Sequence, residues 1–168
     1  VSYNRLDRHL ATRGQQTALI WEGDDPTQSN YLTYEALYLH VCRAANVLKS
    51  LGVKKGDRVC LYLPMIPAAA IMMLACSRIG AVHSVVFGGF SAAALASRIN
   101  DARADIVVTV DSGVRGGKEI PFKENTDSAL HECPHVRHVL VIRYRHQDIP
   151  WEAGRDVWYH DALKHVDL

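Results

Sequence analysis

The sequence predicts an α/β fold, a mostly parallel sheet flanked by helices, as an incomplete part of a larger domain. Two observations point to that architecture. Short runs rich in Val and Ile alternate with helical periods, and strands of that kind sit in parallel sheets covered on both faces. The helix expected over residues 67–79 is apolar on nearly every side, which requires burial between a sheet and another layer. The length, 168 residues with 48% hydrophobic and 22% charged, is enough for one ordered α/β domain or one lobe of something larger. The α/β core is expected at about residues 33–142.

The elements follow in order. Ala18-Leu19-Ile20-Trp21 reads as a short strand, ended by the turn formers Glu22-Gly23-Asp24-Asp25-Pro26. Thr33 is a candidate N-cap, since its hydroxyl can accept from a helix-start amide that otherwise lacks a partner. Leu37, Val41, Ala44, Leu48 and Leu51 recur at helical spacing and form one apolar stripe, which Gly52 ends. Residues 58–63 predict a strand stopped by Pro64, whose missing amide cannot join a ladder. Pro67 suits the first turn of the next helix, and Gly80 its C-cap. A strand over 81–87, a Gly88-Gly89 turn, a helix capped by Ser91, and a strand over 105–110 come next. The loop 111–118, a helix over about 124–132 and a fourth strand over 136–142 complete the expected core, and 157–163 suggests a short helix in a polar tail.

Charge and composition exclude several function classes. With 19 Lys and Arg against 18 Asp and Glu, the net charge of +1 creates no field that gathers nucleic acid or an acidic membrane. The most apolar stretch, 64–75, is shorter than the roughly 20 residues needed to cross a bilayer. The chain opens with charged Arg5, Asp7 and Arg8 rather than a signal-peptide pattern, so a soluble cytoplasmic protein is expected. Cys42, Cys60, Cys76 and Cys133 stand singly without zinc-like spacing, which predicts buried reduced thiols and no metal site. Glu22 and Asp24 read as a solvated turn, His83 as a core or hydrogen-bonded histidine, and the scattered basic residues Arg137, His138, Arg143, Arg145 and His146 as no nucleic-acid surface.

Two glycine loops remain as candidate chemistry. Loops at the carboxyl ends of parallel strands are where open sheets bind ligands. Phe87-Gly88-Gly89 follows the second expected core strand and Arg115-Gly116-Gly117-Lys118 the third, so both open at one edge if those strands are neighbours. Glycine lets backbone amides approach a phosphate, Arg115 offers a planar fork of donors, Lys118 a mobile charge, and Phe87 an apolar wall. The same residues also suit plain turns, a core phenylalanine and solvated cations, and the residues alone leave both readings open. Neither loop matches a dinucleotide fingerprint or a P-loop, and no nucleophile elbow or zincin motif occurs, so no catalytic residue is assigned.

Longer strings carry more. Leu6-Asp7-Arg8-His9, Trp21-Glu22-Gly23-Asp24-Asp25-Pro26, Gly52-Val53-Lys54-Lys55-Gly56-Asp57-Arg58-Val59 and Arg78-Ile79-Gly80-Ala81-Val82-His83-Ser84-Val85-Val86-Phe87-Gly88-Gly89-Phe90-Ser91 resemble the AMP-forming acetyl-CoA synthetases of the adenylate-forming superfamily. The resemblance implies that the chain is the N-terminal portion of the large synthetase domain. It further implies a full-length enzyme that makes acetyl-adenylate from acetate and MgATP and passes the acetyl group to coenzyme A. On that likeness Phe87, Gly88 and Gly89 border the coenzyme A site, and Arg115 meets the coenzyme's adenosine and phosphate end. Lys118 stands where the family can carry arginine, keeping the charge but losing the bidentate fork. The family's ATP phosphate loop, Mg2+ and acetate sites and C-terminal lysine are expected outside these residues, so the segment alone is expected to be inactive. A propionyl-CoA synthetase segment, or a non-catalytic nucleotide- or coenzyme A-binding module, remains the alternative.

Overall fold

Ile106 to Val110 is buried at five consecutive positions. Successive side chains of a strand point to opposite faces, so burial of all five requires cover on both sides of the sheet. In the computed structural model, which describes residues 1–167, this strand lies at the centre of a five-stranded sheet whose pairings are all parallel.

The chain opens with two short helices, α1 (Ser2–Arg5) and α2 (Asp7–Arg13). No apolar periodicity announces them. A tertiary contact holds them instead, the Asp7 carboxylate forking onto the Arg78 guanidinium at 2.8 and 2.9 Å. The expected strand β1 (Thr17–Glu22) is present, and pairs antiparallel with β2 (Ser29–Thr33). β2 lacks an apolar alternation because its first three residues are exposed, and the pairing alone makes it a strand.

α3 (Tyr34–Ser50) starts where Thr33 predicts, with its Oγ1 accepting from the Ala36 amide at 3.1 Å. Leu37, Val41, Ala44 and Leu48 are buried as the stripe requires, while Leu51 is half-buried at the helix end. β3 (Arg58–Leu63) and α4 (Pro67–Ile79) follow, and no residue of α4 is fully exposed. Next come β4 (Val82–Phe87) and α5 (Ala92–Ala102), capped by Ser91 Oγ accepting from the Ala94 amide at 3.3 Å. After β5 (Ile106–Val110) the chain forms β6 (Gly113–Arg115), β7 (Lys118–Ile120), α6 (Phe122–Leu130), β8 (His138–Ile142), β9 (Asp156–Trp158) and α7 (Tyr159–Ala162). α3 packs on α4 and α5 on α6.

Three expectations are corrected. The sheet has five strands rather than four, in the order β4-β3-β5-β8-β9, because residues 156–158 pair with β8 instead of starting the helix expected over 157–163. The loop expected over 111–118 contains a hairpin, β6 against β7, turned by Gly116 and Gly117 with φ of 56° and 74°. Positive φ at both central residues is the two-residue hairpin turn that matches the twist of its strands. Finally, the strands preceding the two glycine loops are not neighbours, since β3 lies between β4 and β5.

The tail that carries β9 is fastened by charge as well as by the sheet. Lys123 on α6 is completely buried, with its ammonium 2.8 Å from Asp127 and from Asp156 and 3.0 Å from the Pro150 carbonyl. Arg155 joins the same group through Asp156, Asp127 and Glu152.

Candidate functional site

Because β3, β4 and β5 run parallel, their carboxyl ends reach one edge of the sheet even though β3 separates the outer two. Leu63 stands opposite Phe87 in the register, and Pro64 and Met65 leave the sheet beside the Phe87-Gly88-Gly89 turn. From the other side the β6–β7 hairpin brings Arg115 across, its Cζ 4.5 Å from the centre of the Phe87 ring. A guanidinium at that distance from an aromatic face is a cation–π contact.

The glycines of the turn fit this stack. A Cβ on Gly89 would lie 2.8 Å from Arg115 Nη1 and 2.8 Å from Phe87 Cε1, so a side chain there would displace the stack from its present position. Phe122, the first residue of α6, separates the two loops from beneath. A Cβ on Gly88 would fall 2.6 Å from its Cζ and one on Gly113 2.8 Å from its Cε2, so both loops rest directly against one buried ring.

Between these loops and the β1–β2 hairpin opens a cavity of about 380 Å³, lined by Trp21, Met65, Phe87, Gly89, Arg115 and Tyr144 among others. Trp21 reaches it because its indole donates to the Met65 carbonyl at 2.7 Å, tying the hairpin to the sheet edge. The lining is mainly apolar with Arg115 as a cation, and such clefts commonly measure about 300–1,000 Å³. Phe87 is 50% exposed here, which removes the reading of a core phenylalanine. Lys118 sits opposite Arg115 in the hairpin register, is exposed, and does not line the cavity. No local pattern marks Trp21, Met65, Phe122 and Tyr144 as cavity residues, although Trp21 and Met65 both lie where an expected strand ends.

Asp111, at the end of β5, holds the segment carrying Tyr144 against the site. Its buried carboxylate accepts from the backbone amides of Tyr144 at 2.8 Å, Arg145 at 3.1 Å and Gln147 at 3.0 Å. Burial alone would raise its pKa, but hydrogen bonds from these amides outweigh it and hold the carboxyl below the ordinary 3.8. The folded-state pKa is therefore depressed, so the stabilisation is complete above pH 3.8 and is lost as pH falls through the lower folded value. Asp111→Asn is expected to lower stability at neutral pH and flatten its decline below pH 3.8 in acid titrations followed by tryptophan fluorescence. An unchanged acid slope would count against this account.

The remaining candidates fall into structural places. Ser91 caps α5, His83 is half-buried in β4, and Glu22 and Asp24 are exposed at the cavity rim. All four cysteines are free thiols, three of them buried and Cys42 half-buried. Burial pushes the Cys60 and Cys76 thiols up to about 12, so neither is an available nucleophile at neutral pH. Arg143 stacks on Trp158 at 4.4 Å, away from the cavity lining. Among the described residues no His, Cys, Asp and Glu cluster is placed to hold a metal, and no helix is long and apolar enough to cross a membrane.

Comparison with known proteins gives this geometry a relationship. The chain is 63% identical over 162 residues to an acetyl-coenzyme A synthetase of Halorhodospira halophila, covering 96% of this chain and 25% of that protein. It is 62% identical over 164 residues to acetyl-coenzyme A synthetase 2 of Pseudomonas putida, covering 98% of this chain and 26% of that protein. An acetyl-coenzyme A synthetase of Alkalilimnicola ehrlichii is 58% identical over 166 residues, 99% of this chain and 26% of its own length. The chain thus spans about a quarter of the length of these curated relatives. The sequence model for AMP-binding enzymes matches residues 6–165, nearly the whole chain, and the protein belongs to the AMP-binding enzyme family.

Proposed function

We propose that residues 1–168 are the N-terminal portion of the large domain of an AMP-forming acetate–CoA ligase, and that their carboxyl sheet edge forms one side of its coenzyme A site. The observation that carries the reading is the Arg115–Phe87 stack over bare Gly89, beside an apolar cavity. Relatives that are 56–63% identical to the chain over the aligned quarter of their own length are named acetyl-coenzyme A synthetases. The complete enzyme would use acetate, ATP with Mg2+ and coenzyme A in the cytoplasm, with the ATP and Mg2+ sites in the remainder of the polypeptide.

The residues suit their assigned parts. Arg115 has a planar face for an adenine and five donors for phosphate oxygens, and the stack on Phe87 holds that fork in one orientation. Phe87 and Met65 provide apolar wall for a pantetheine arm. Lys118, exposed at the far side of the hairpin turn, adds positive charge on the approach. Partial enclosure supports a site completed by other parts of the protein, and so does β4. Among the described residues β4 pairs on one side only, and Val82 and Val85 are exposed along it. Such an apolar open edge invites cover by further polypeptide.

Arg115→Ala in the full-length protein is expected to weaken coenzyme A binding about tenfold, the scale of hydrogen bonds to a charged partner. Acetyl-adenylate formation, followed as ATP–pyrophosphate exchange, should stay near the parent rate. Equal loss in both half-reactions would contradict the assignment.

A further inference from the structure

We infer that the Tyr62 hydroxyl is a positioning group for coenzyme A, acting by clamping the Gly88-Gly89 turn from below; the inference rests on the coenzyme A reading of that turn. Tyr62 lies near the end of β3, the strand between the two loop-bearing strands, and is completely buried. Its ring packs on Phe122 with centroids 4.8 Å apart, so the side chain runs up beneath the turn. The hydroxyl lies 3.2 Å from the Phe90 carbonyl and 3.3 Å from the Gly88 carbonyl, and its one proton serves these two acceptors. Asn125 on α6 donates to the same oxygen at 3.3 Å.

The placement of those two acceptors gives the hydroxyl its leverage. Gly88 and Gly89 have no side chains to fix their peptide planes, and glycine backbone is the most permissive in the chain. The carbonyls of Gly88 and Phe90 bracket Gly89, the residue lying directly against the Arg115–Phe87 stack. Holding both carbonyls therefore sets how Gly89 faces the cavity. Asn125 orients the hydroxyl by occupying a lone pair of its oxygen, which leaves the proton directed at the turn. Burial raises the phenol's pKa above the ordinary 10.0, so it remains a donor over the working pH range. A hydrophobic core needs only the ring here. The oxygen adds nothing to packing that phenylalanine would lack.

That difference makes Tyr62→Phe the test, in the full-length protein. The ring is retained, and the KM for coenzyme A should rise about three- to tenfold, the scale of one lost hydrogen-bonding group. ATP–pyrophosphate exchange should remain within about twofold of the parent. Amide hydrogen exchange at Gly88 to Phe90 should accelerate, since among the described residues the Phe90 amide is bonded only within the turn, to the Phe87 carbonyl at 3.0 Å. Asn125→Ala, which removes the orienting donor and spares the ring, should move the same readings in the same direction and guards against misfolding of one variant.

An unchanged KM for coenzyme A in both variants, while Arg115→Ala raises it, overturns this inference and leaves the coenzyme A reading standing. A silent Arg115→Ala overturns that reading and the inference with it. Parallel loss of pyrophosphate exchange would mean that the hydroxyl serves the fold as a whole, and it too overturns the proposal.

Discussion

Replacing Lys123 with methionine is expected to destabilise the protein by about 3–5 kcal/mol, the scale for breaking a buried ion pair from one side. Lys123 and Asp156 both have fully buried side chains, and methionine fills much of the lysine volume without the charge. Asp156 would then keep Arg155 and the Glu152 amide but lose the ammonium at 2.8 Å. Burial works against its ionisation most strongly, and hydrogen bonds from Arg155 and then Lys123 are what hold its carboxyl below the ordinary 3.8. The Pro150 carbonyl would lose its donor as well. The loss should appear as a lower denaturant midpoint and as faster amide exchange in β8 and β9. If Lys123→Met costs under about 1 kcal/mol, the cluster is a weakly coupled ornament of the tail and not its fastening.

Gly88→Ala should cost roughly 1–3 kcal/mol and also weaken coenzyme A binding, since over-packing of a filled core is relieved only by displacing its neighbours. The added methyl would lie 2.6 Å from Phe122 Cζ and 2.9 Å from Cε1. Phe122 cannot turn away freely, because Tyr62 packs on its ring and Gly113 lies against its other edge. The turn itself must therefore lift, and with it Phe87 and the surface beneath Arg115. Phe122→Leu in the Gly88→Ala background should restore part of both stability and coenzyme A affinity, measured against each single variant. A Gly88→Ala protein with parent stability and parent affinity would show that the turn has slack which the contacts deny.

These two positions differ in how far the sequence announces them. Gly88 and Gly89 stand out as a turn after the Val-rich strand in Val85-Val86-Phe87-Gly88-Gly89, although the Phe122 ring that makes a bare backbone necessary at Gly88 lies far along the chain. Lys123, in Pro121-Phe122-Lys123-Glu124-Asn125, looks like a solvated helix residue. Its ammonium is met by Pro150 and Asp156 returning some thirty residues later, and no local pattern encodes that distance. Trp21 and Tyr144 were illegible as cavity residues for the same reason, each arriving by a contact made elsewhere: the Met65 carbonyl for one, the Asp111 carboxylate for the other. Likewise β2, α1 and α2 show no periodicity because single apolar anchors, Leu32 and Leu6, together with strand pairing and the Asp7–Arg78 pair keep them in place.

What the sequence determined by itself was the alternation of strands and helices, the caps at Thr33, Ser91 and Gly80, and the two glycine loops at strand ends. Each of these follows from side-chain periodicity or from backbone freedom within a few residues. Only the tertiary structure decided the strand order, with β3 between β4 and β5, and hence that Arg115 and Phe87 meet by reaching across an intervening strand. Strand order is a matter of non-local pairing, set by which buried faces fit together, and residues adjacent along the chain carry little of that information.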